Sequence, residues 1–151
     1  MVRVKNRYLV LQITQQDQKE TISKLQFRAN SLYEAIMSKL QQLHGDFGVG
    51  SCKGGFTAKY CNEYTGTAVV RARHGPHRLV ASSIPFIRII EGKVVIVNIL
   101  YVGATIRQCF KFLKNYQQKK FDEYYVTLKD EDERKALRQS ILNLGTVLDK
   151  L

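Results

Sequence analysis

Apolar residues along this chain gather in two kinds of run, and the two kinds alternate. RYLVLQIT (7–14) is dense enough for a β-strand, and the polar TQQDQKETISK after it reads as a loop or irregular lead-in. Leu32, Ile36, Leu40 and Leu43 then recur at helical spacing. Ser31 and Glu34 have capping-box spacing, Ser23 and Gln26 offer an alternative start, and Gly45 stands where a left-handed terminator belongs. CKGGFTAKYC (52–61) and TAVVRARH (67–74) are β-type stretches joined by NEYTG, whose Asn, Thr and Gly suit a hairpin. Leu79, Val80, Ser83 and Ile84 fit a short helix opening near Pro76 and limited by Pro85, with a buried strand as the alternative. KVVIVNILYV (93–102) predicts a fourth strand, and a helix begins at Thr105. Leu137, Ile141, Leu144, Leu148 and Leu151 predict an amphipathic C-terminal helix over about 130–151, packed on the parent domain because it is short for a coiled coil.

The order β-α-β-β-α-β with two helices appended predicts an α+β fold, a ferredoxin-like (RRM-like) sandwich with an antiparallel sheet. Its core spans about 7–121 of a single domain, 1–151. In KVVIVNILYV both alternating sets, Val94/Ile96/Leu100 and Val95/Val97/Ile99/Tyr101, are largely apolar, so this strand should be covered on both faces. The first two helices can cover only one, which assigns the other to the appended helices. An open sheet that stacks bases on exposed aromatics is thereby excluded, and RNA would have to meet edges, loops and helix ends.

Charge sharpens this picture. The net charge is +11, and residues 1–121 carry 19 Lys and Arg against 6 Asp and Glu, so the basic excess belongs to the main body. That pattern points to a polyanion, either nucleic acid or an anionic membrane surface. The longest uncharged apolar stretch, VVIVNILYVGATI (94–106), falls short of the roughly 18 residues of a membrane span. The N-terminal YLVL is too short for a secretory segment, so the chain is expected to stay inside the cell. Cys52, Cys61 and Cys109 show no CxxC spacing and should be reduced, packed thiols. Combined with His44, His74 or His77 they match no recurring zinc pattern, and no P-loop, GxSxG or HExxH appears. Neither a metal nor a cofactor is expected.

Candidate chemistry therefore rests on the basic residues. Thr105 and Gln108 have capping-box spacing. A helix start favours Asp or Glu by about 0.3–1 kcal/mol per exposed charge, yet Arg107 stands there. A bound phosphate would reverse the sign, because backbone N–H groups, the helix dipole and a guanidinium fork could face one anion. Arg107, Lys111 and Lys114 form a stripe at i, i+4, i+7. Arg3, Lys5 and Arg7 share one side of an extended N-terminus, and Lys59, Arg71 and Arg73 could share a face of the hairpin, depending on register. Three such groups on one small domain are candidate RNA-phosphate contacts.

VRVKNRYLV, LHGDFGVGSC, YTGTAVVRAR and VGATIRQCFKFL occur in order over residues 1–116. Together they resemble the fifth POP (processing of precursor RNA) protein subunit family of ribonuclease P and RNase MRP. The resemblance implies a non-catalytic protein held on the particle's RNA, which itself cleaves precursor tRNA to a mature 5′ end, and in the MRP particle processes precursor ribosomal RNA. It implies a thirty-kilodalton TIM-barrel-like protein partner among other subunits, and a nuclear, nucleolar location. The alternatives are an RNA-binding assembly factor of another ribonucleoprotein and a small acylphosphatase-like hydrolase using Arg107 and Asn98.

Overall fold

Strand β1, Asn6–Gln15, is apolar on both faces: Leu9, Leu11 and Ile13 point one way, Val10 the other, and all four are buried. A strand of that kind needs a layer on each side, and the chain supplies both. A computed structural model describes residues 3–16, 27–63, 65–127, 131, 132, 134–136, 138 and 139. Helix α1 (Ala29–Lys53) follows β1, then β2 (Thr57–Asn62), β3 (Thr67–Arg73), α2 (His77–Ser83), a 3-10 turn (Ile84–Phe86), β4 (Ile89–Ile90), β5 (Lys93–Gly103) and α3 (Ile106–Thr127).

All pairings are antiparallel, in the order β2-β3-β1-β5-β4. Without the two-residue edge strand β4 this is the expected ferredoxin-like sheet, with α1 and α2 as its crossovers. Leu32, Ile36 and Leu40 of α1 and Val80 of α2 pack with Leu9, Leu11, Val70 and Val97 on one face. On the other, Cys109, Phe110 and Leu113 of α3 pack on Val10 and Val69. Residues 131, 132, 134–136, 138 and 139 are helical. The leucine spacing from 137 to 151 and the alternative helix start at Ser23 and Gln26 lie outside the described residues.

Several local expectations are corrected. Gly45 does not end α1: its φ of 64° and ψ of −159° kink the helix, which resumes to Lys53. The second segment persists because Gly48 and Cys52 are buried and Val49 packs on the core, giving it an inward side of its own. Cys52 and Lys53 are consequently helical rather than strand. Nor do Ser31 and Glu34 form a capping box. Helix α1 is capped from another element: Glu91, in the β4–β5 turn, accepts from the Arg28 N–H at 3.1 Å and from the Ser31 hydroxyl. A carboxylate at a helix start is electrostatically favoured, and these bonds hold Glu91 below the usual carboxylate range.

Coverage of β5 also differs. Val95 and Val97 are buried, but Val94 and Ile96 are 40% and 38% exposed. The reason is the path of α3, which packs on Val10 and Val69 of β1 and β3 and leaves the far end of β5. A bulge does bring part of β5 under α3. Val10 pairs with Tyr101 and Leu11 with Ile99, so Leu100 is an extra residue, and Leu100 and Tyr101 both turn toward α3.

Candidate nucleic-acid interface

Two ring contacts fix how α3 is turned. Phe110 meets Tyr60 of β2 edge-on, with centroids 5.5 Å apart, while Phe112 stacks on Tyr101 of β5 at 4.9 Å. One flank of α3 thus overlooks the β2–β3 hairpin and the other overlooks β5. Arg107 and Lys114 lie three residues before and four after Phe110, so they share its row along the helix. Both are exposed, on the hairpin side, with exposed Lys111 further round the outer surface. The start is capped as expected: the Gln108 N–H donates to the Thr105 hydroxyl at 3.3 Å. That bond takes the Gln108 donor out of the set an anion could meet.

Register decides the hairpin. Tyr8 pairs with both Arg71 and Gly103, and Thr57 pairs with Arg71. One row therefore runs across the sheet from the end of β5, where α3 begins, to the start of β2. Arg71 and Arg73 alternate with buried Val70 and Ala72 of the α1 side, which puts them on the α3 side with Val69. Lys59 is the extra residue of a second bulge, since Ala58 pairs with Val70 and Tyr60 with Val69. The bulge lets Lys59 stand beside Tyr60 on the α3 side, although Ala58 packs against the other core. Lys59, Arg71 and Arg73 do share a face, and it is the face that the Arg107–Lys114 flank overlooks.

The α1–β2 turn holds the two hairpin arginines. Arg71 Nε donates to the Gly55 carbonyl at 3.4 Å. The stem of Arg73 crosses Gly55 so closely that a Cβ there would lie 2.8 Å from Arg73 Cγ. Beneath the middle of α3, buried Gln117 donates to the hydroxyls of Thr65 and Thr67 at 3.1 and 3.2 Å, tying the helix to the hairpin loop. Tyr60, Phe110 and Gln117 orient the basic groups without being basic themselves. Sequence reasoning passed over them, although the place of Phe110 between Arg107 and Lys114 was visible.

The N-terminal group is not brought together with the others. Arg7 pairs with Ala72 and so lies on the α1–α2 side, near His77. Lys5 runs beside the end of β3, its carbonyl accepting from the His74 N–H at 2.9 Å, and Arg3 is exposed beyond it. The cysteines are free thiols. Burial pushes Cys61 up to about 12 and Cys109 up to about 11, and raises Cys52, the reverse of what a nucleophile needs. Among the described residues no group of His, Cys, Asp and Glu could hold a metal, and no helix is long and apolar enough to cross a membrane.

The sequence profile of the Rpp14/Pop5 family matches residues 7–114. The chain belongs to the Rpp14/Pop5 family. It is 35% identical to the ribonuclease P/MRP protein subunit POP5 of Bos taurus, over 93% of this chain and 84% of that one. Identity to the human subunit of that name is 34%, over 93% and 87%, and to that of Schizosaccharomyces pombe 30%, over 87% and 97%. A chain in the cryo-EM structure of yeast ribonuclease MRP superposes with a TM-score of 0.49 at 15% identity, over 83% of this chain and 98% of that one. In this family member, residues 7–114 take in the hairpin and the first turns of α3.

Proposed function

We propose that this Rpp14/Pop5 chain is a non-catalytic protein subunit of ribonuclease P, and of RNase MRP, that grips the particle's RNA on the basic face formed by α3 and the β2–β3 hairpin. The observation that carries this reading is the convergence of Lys59, Arg71 and Arg73 with Arg107 and Lys114 on one side of the sheet, from elements far apart in sequence. Five cations so placed match a phosphate backbone, whose neutralisation releases counterions. Lys111 extends the row outward, Thr105 sets the helix start, and Lys5 and Arg3 reach past the same end of the sheet. Arg7 contributes from the opposite rim.

In this reading the RNA performs the cleavage of precursor tRNA, and of precursor rRNA in the MRP particle, while the protein positions RNA and meets the thirty-kilodalton subunit and other proteins. The raised thiols and the family relationship support a role without chemistry of its own. Nuclear and nucleolar residence follows from that role.

The test is the RNA that copurifies with a tagged chain. Recovery of ribonuclease P or MRP RNA is expected. Recovery of another particle's RNA alone would replace this reading with that of an assembly factor. Phosphatase turnover by the purified chain without RNA would replace it with the hydrolase.

A further inference from the structure

A second group of cations gathers where β3 turns into α2, on the α1–α2 side of the sheet. Strand alternation sends Arg7 there, since it pairs with Ala72, a core residue of that side. Gly75, at a left-handed φ of 101° that favours glycine, then turns the chain so that the His77 ring comes to lie 5.4 Å from the His74 ring. Arg78 follows and is exposed, as is His74, while Arg7 and His77 are half-buried. Burial, then the charges of His74, Arg7 and Arg78, holds His77 below its ordinary 6.5, and no carboxylate is among the groups acting on it. Among the described residues neither arginine is in an ion pair, and the Arg7 guanidinium donates to the Asn6 carbonyl at 2.9 Å. Lys5 adjoins the group, its carbonyl accepting from the His74 N–H at 2.9 Å. Helix α1 meets the turn through Cys52, whose thiol donates to the Pro76 carbonyl at 3.6 Å, and meets α2 further along through His44, whose Nε2 lies 2.9 Å from the Ser82 hydroxyl.

We propose that His74 and His77, with Arg7 and Arg78, form a second phosphate contact for the particle's RNA, one that tightens as the histidines take up protons. The inference rests on the particle reading above and deepens it. Two imidazoles and two guanidiniums without a carboxylate to neutralise them suit an anion. RNA is its source because the group continues the basic face: Arg73, on the α3 side, directly precedes His74, so a strand lying on Arg71 and Arg73 meets His74 by passing over the rim of the sheet. Protonating His77 gives up the bond that its Nδ1 accepts from the Gly75 N–H, so the charged ring needs an anion to stabilise it. Phosphate beside the rings favours their charged form, binding therefore draws protons from solution, and affinity rises as pH falls.

Ribonuclease P RNA is titrated with the native chain and with His74→Gln/His77→Asn, His44→Gln and Arg78→Gln variants at pH 8, 7 and 6 and constant ionic strength, and melting curves at each pH confirm that every chain is folded. Native affinity should rise about tenfold from pH 8 to pH 6, the scale of one proton partly taken up over that range. The double variant should differ little from native at pH 8 and show no rise. His44→Gln should keep the rise, because that histidine, the third in the chain, faces Ser82 instead of the group. Arg78→Gln should make the slope of log K against log salt shallower by about one unit. A native affinity indifferent to pH, a rise that survives in the double variant, or an unchanged salt slope on Arg78→Gln would each overturn the proposal. Phosphatidylserine vesicles that bind the chain with dependence on pH and Arg78, when RNA affinity ignores both, would overturn it in favour of a lipid surface. Failure of the native chain to bind ribonuclease P RNA at any pH would strike the reading beneath it, and the proposal with it.

Discussion

Removing the ring of Phe110 should undo the interface without touching a charge. Phe110 is 1% exposed and is the largest fully buried side chain holding α3 to the sheet, against Val10, Val69, Leu113 and the edge of Tyr60. Truncating a buried Phe to Ala costs about 3–5 kcal/mol, and the lost edge-to-face pair accounts for about 0.5–1.5 kcal/mol of that scale. Few other buried side chains share the load, so the change falls mainly on α3. For a domain of this length each kcal/mol moves Tm by about 2–4 °C, so about 4 kcal/mol should lower it by roughly 8–16 °C. Because α3 carries Arg107 and Lys114 over the hairpin, RNA affinity should fall at temperatures where the strands remain intact. Melting followed by circular dichroism, with RNA titration below the transition, measures both. A Tm within about 3 °C of native, with RNA affinity retained, would refute the claim that this ring holds and orients α3.

Thr105→Ala should cost about 1 kcal/mol through loss of the cap to Gln108, seen as a Tm drop of about 2–4 °C; no change would remove the capping role. Modification by a thiol reagent at pH 8 should be far slower in the native chain than in the unfolded one, since burial raises all three thiols; a cysteine reacting at the free-thiol rate would contradict that. His77 is held below its ordinary 6.5 by burial, then by His74, Arg7 and Arg78, and its Nδ1 accepts from the Gly75 N–H at 3.1 Å. The depressed value contributes stability that is present above 6.5 and is lost as pH falls through the folded value. A His77→Asn chain should therefore lose less stability than native on acidification from pH 7 to pH 5 in urea titrations, and an equal loss would count against this linkage.

The strand and helix order was legible because each run kept its own period: Leu32, Ile36 and Leu40 announced a helix, and the doubly apolar β5 announced a second layer, which α3 supplies over only part of that strand. What failed locally failed for tertiary reasons. Gly45 looks like a stop until Gly48 and Cys52 are seen to bury the next segment, and the cap of α1 comes from Glu91, some sixty residues away in sequence. Burial of Val94 and Ile96 could not be judged without the path of α3. The same holds for the site. Arg107, Lys111 and Lys114 were legible as a stripe, but which side the stripe faces depends on Phe110 meeting Tyr60, and the side of Lys59 depends on a bulge. Arg7 had the right spacing to join Arg3 and Lys5, yet strand alternation sends it to the α1–α2 side.

The most direct measurement is the salt dependence of RNA affinity for the native chain and for a Lys59→Ala, Arg71→Ala, Arg107→Ala triple variant, with ribonuclease P RNA titrated at several salt concentrations. If these three cations sit on phosphates, the slope of log K against log salt should become shallower by about 2–3 units while the fold melts as native. A slope unchanged from native would contradict the account and send the search for the RNA surface elsewhere on the molecule.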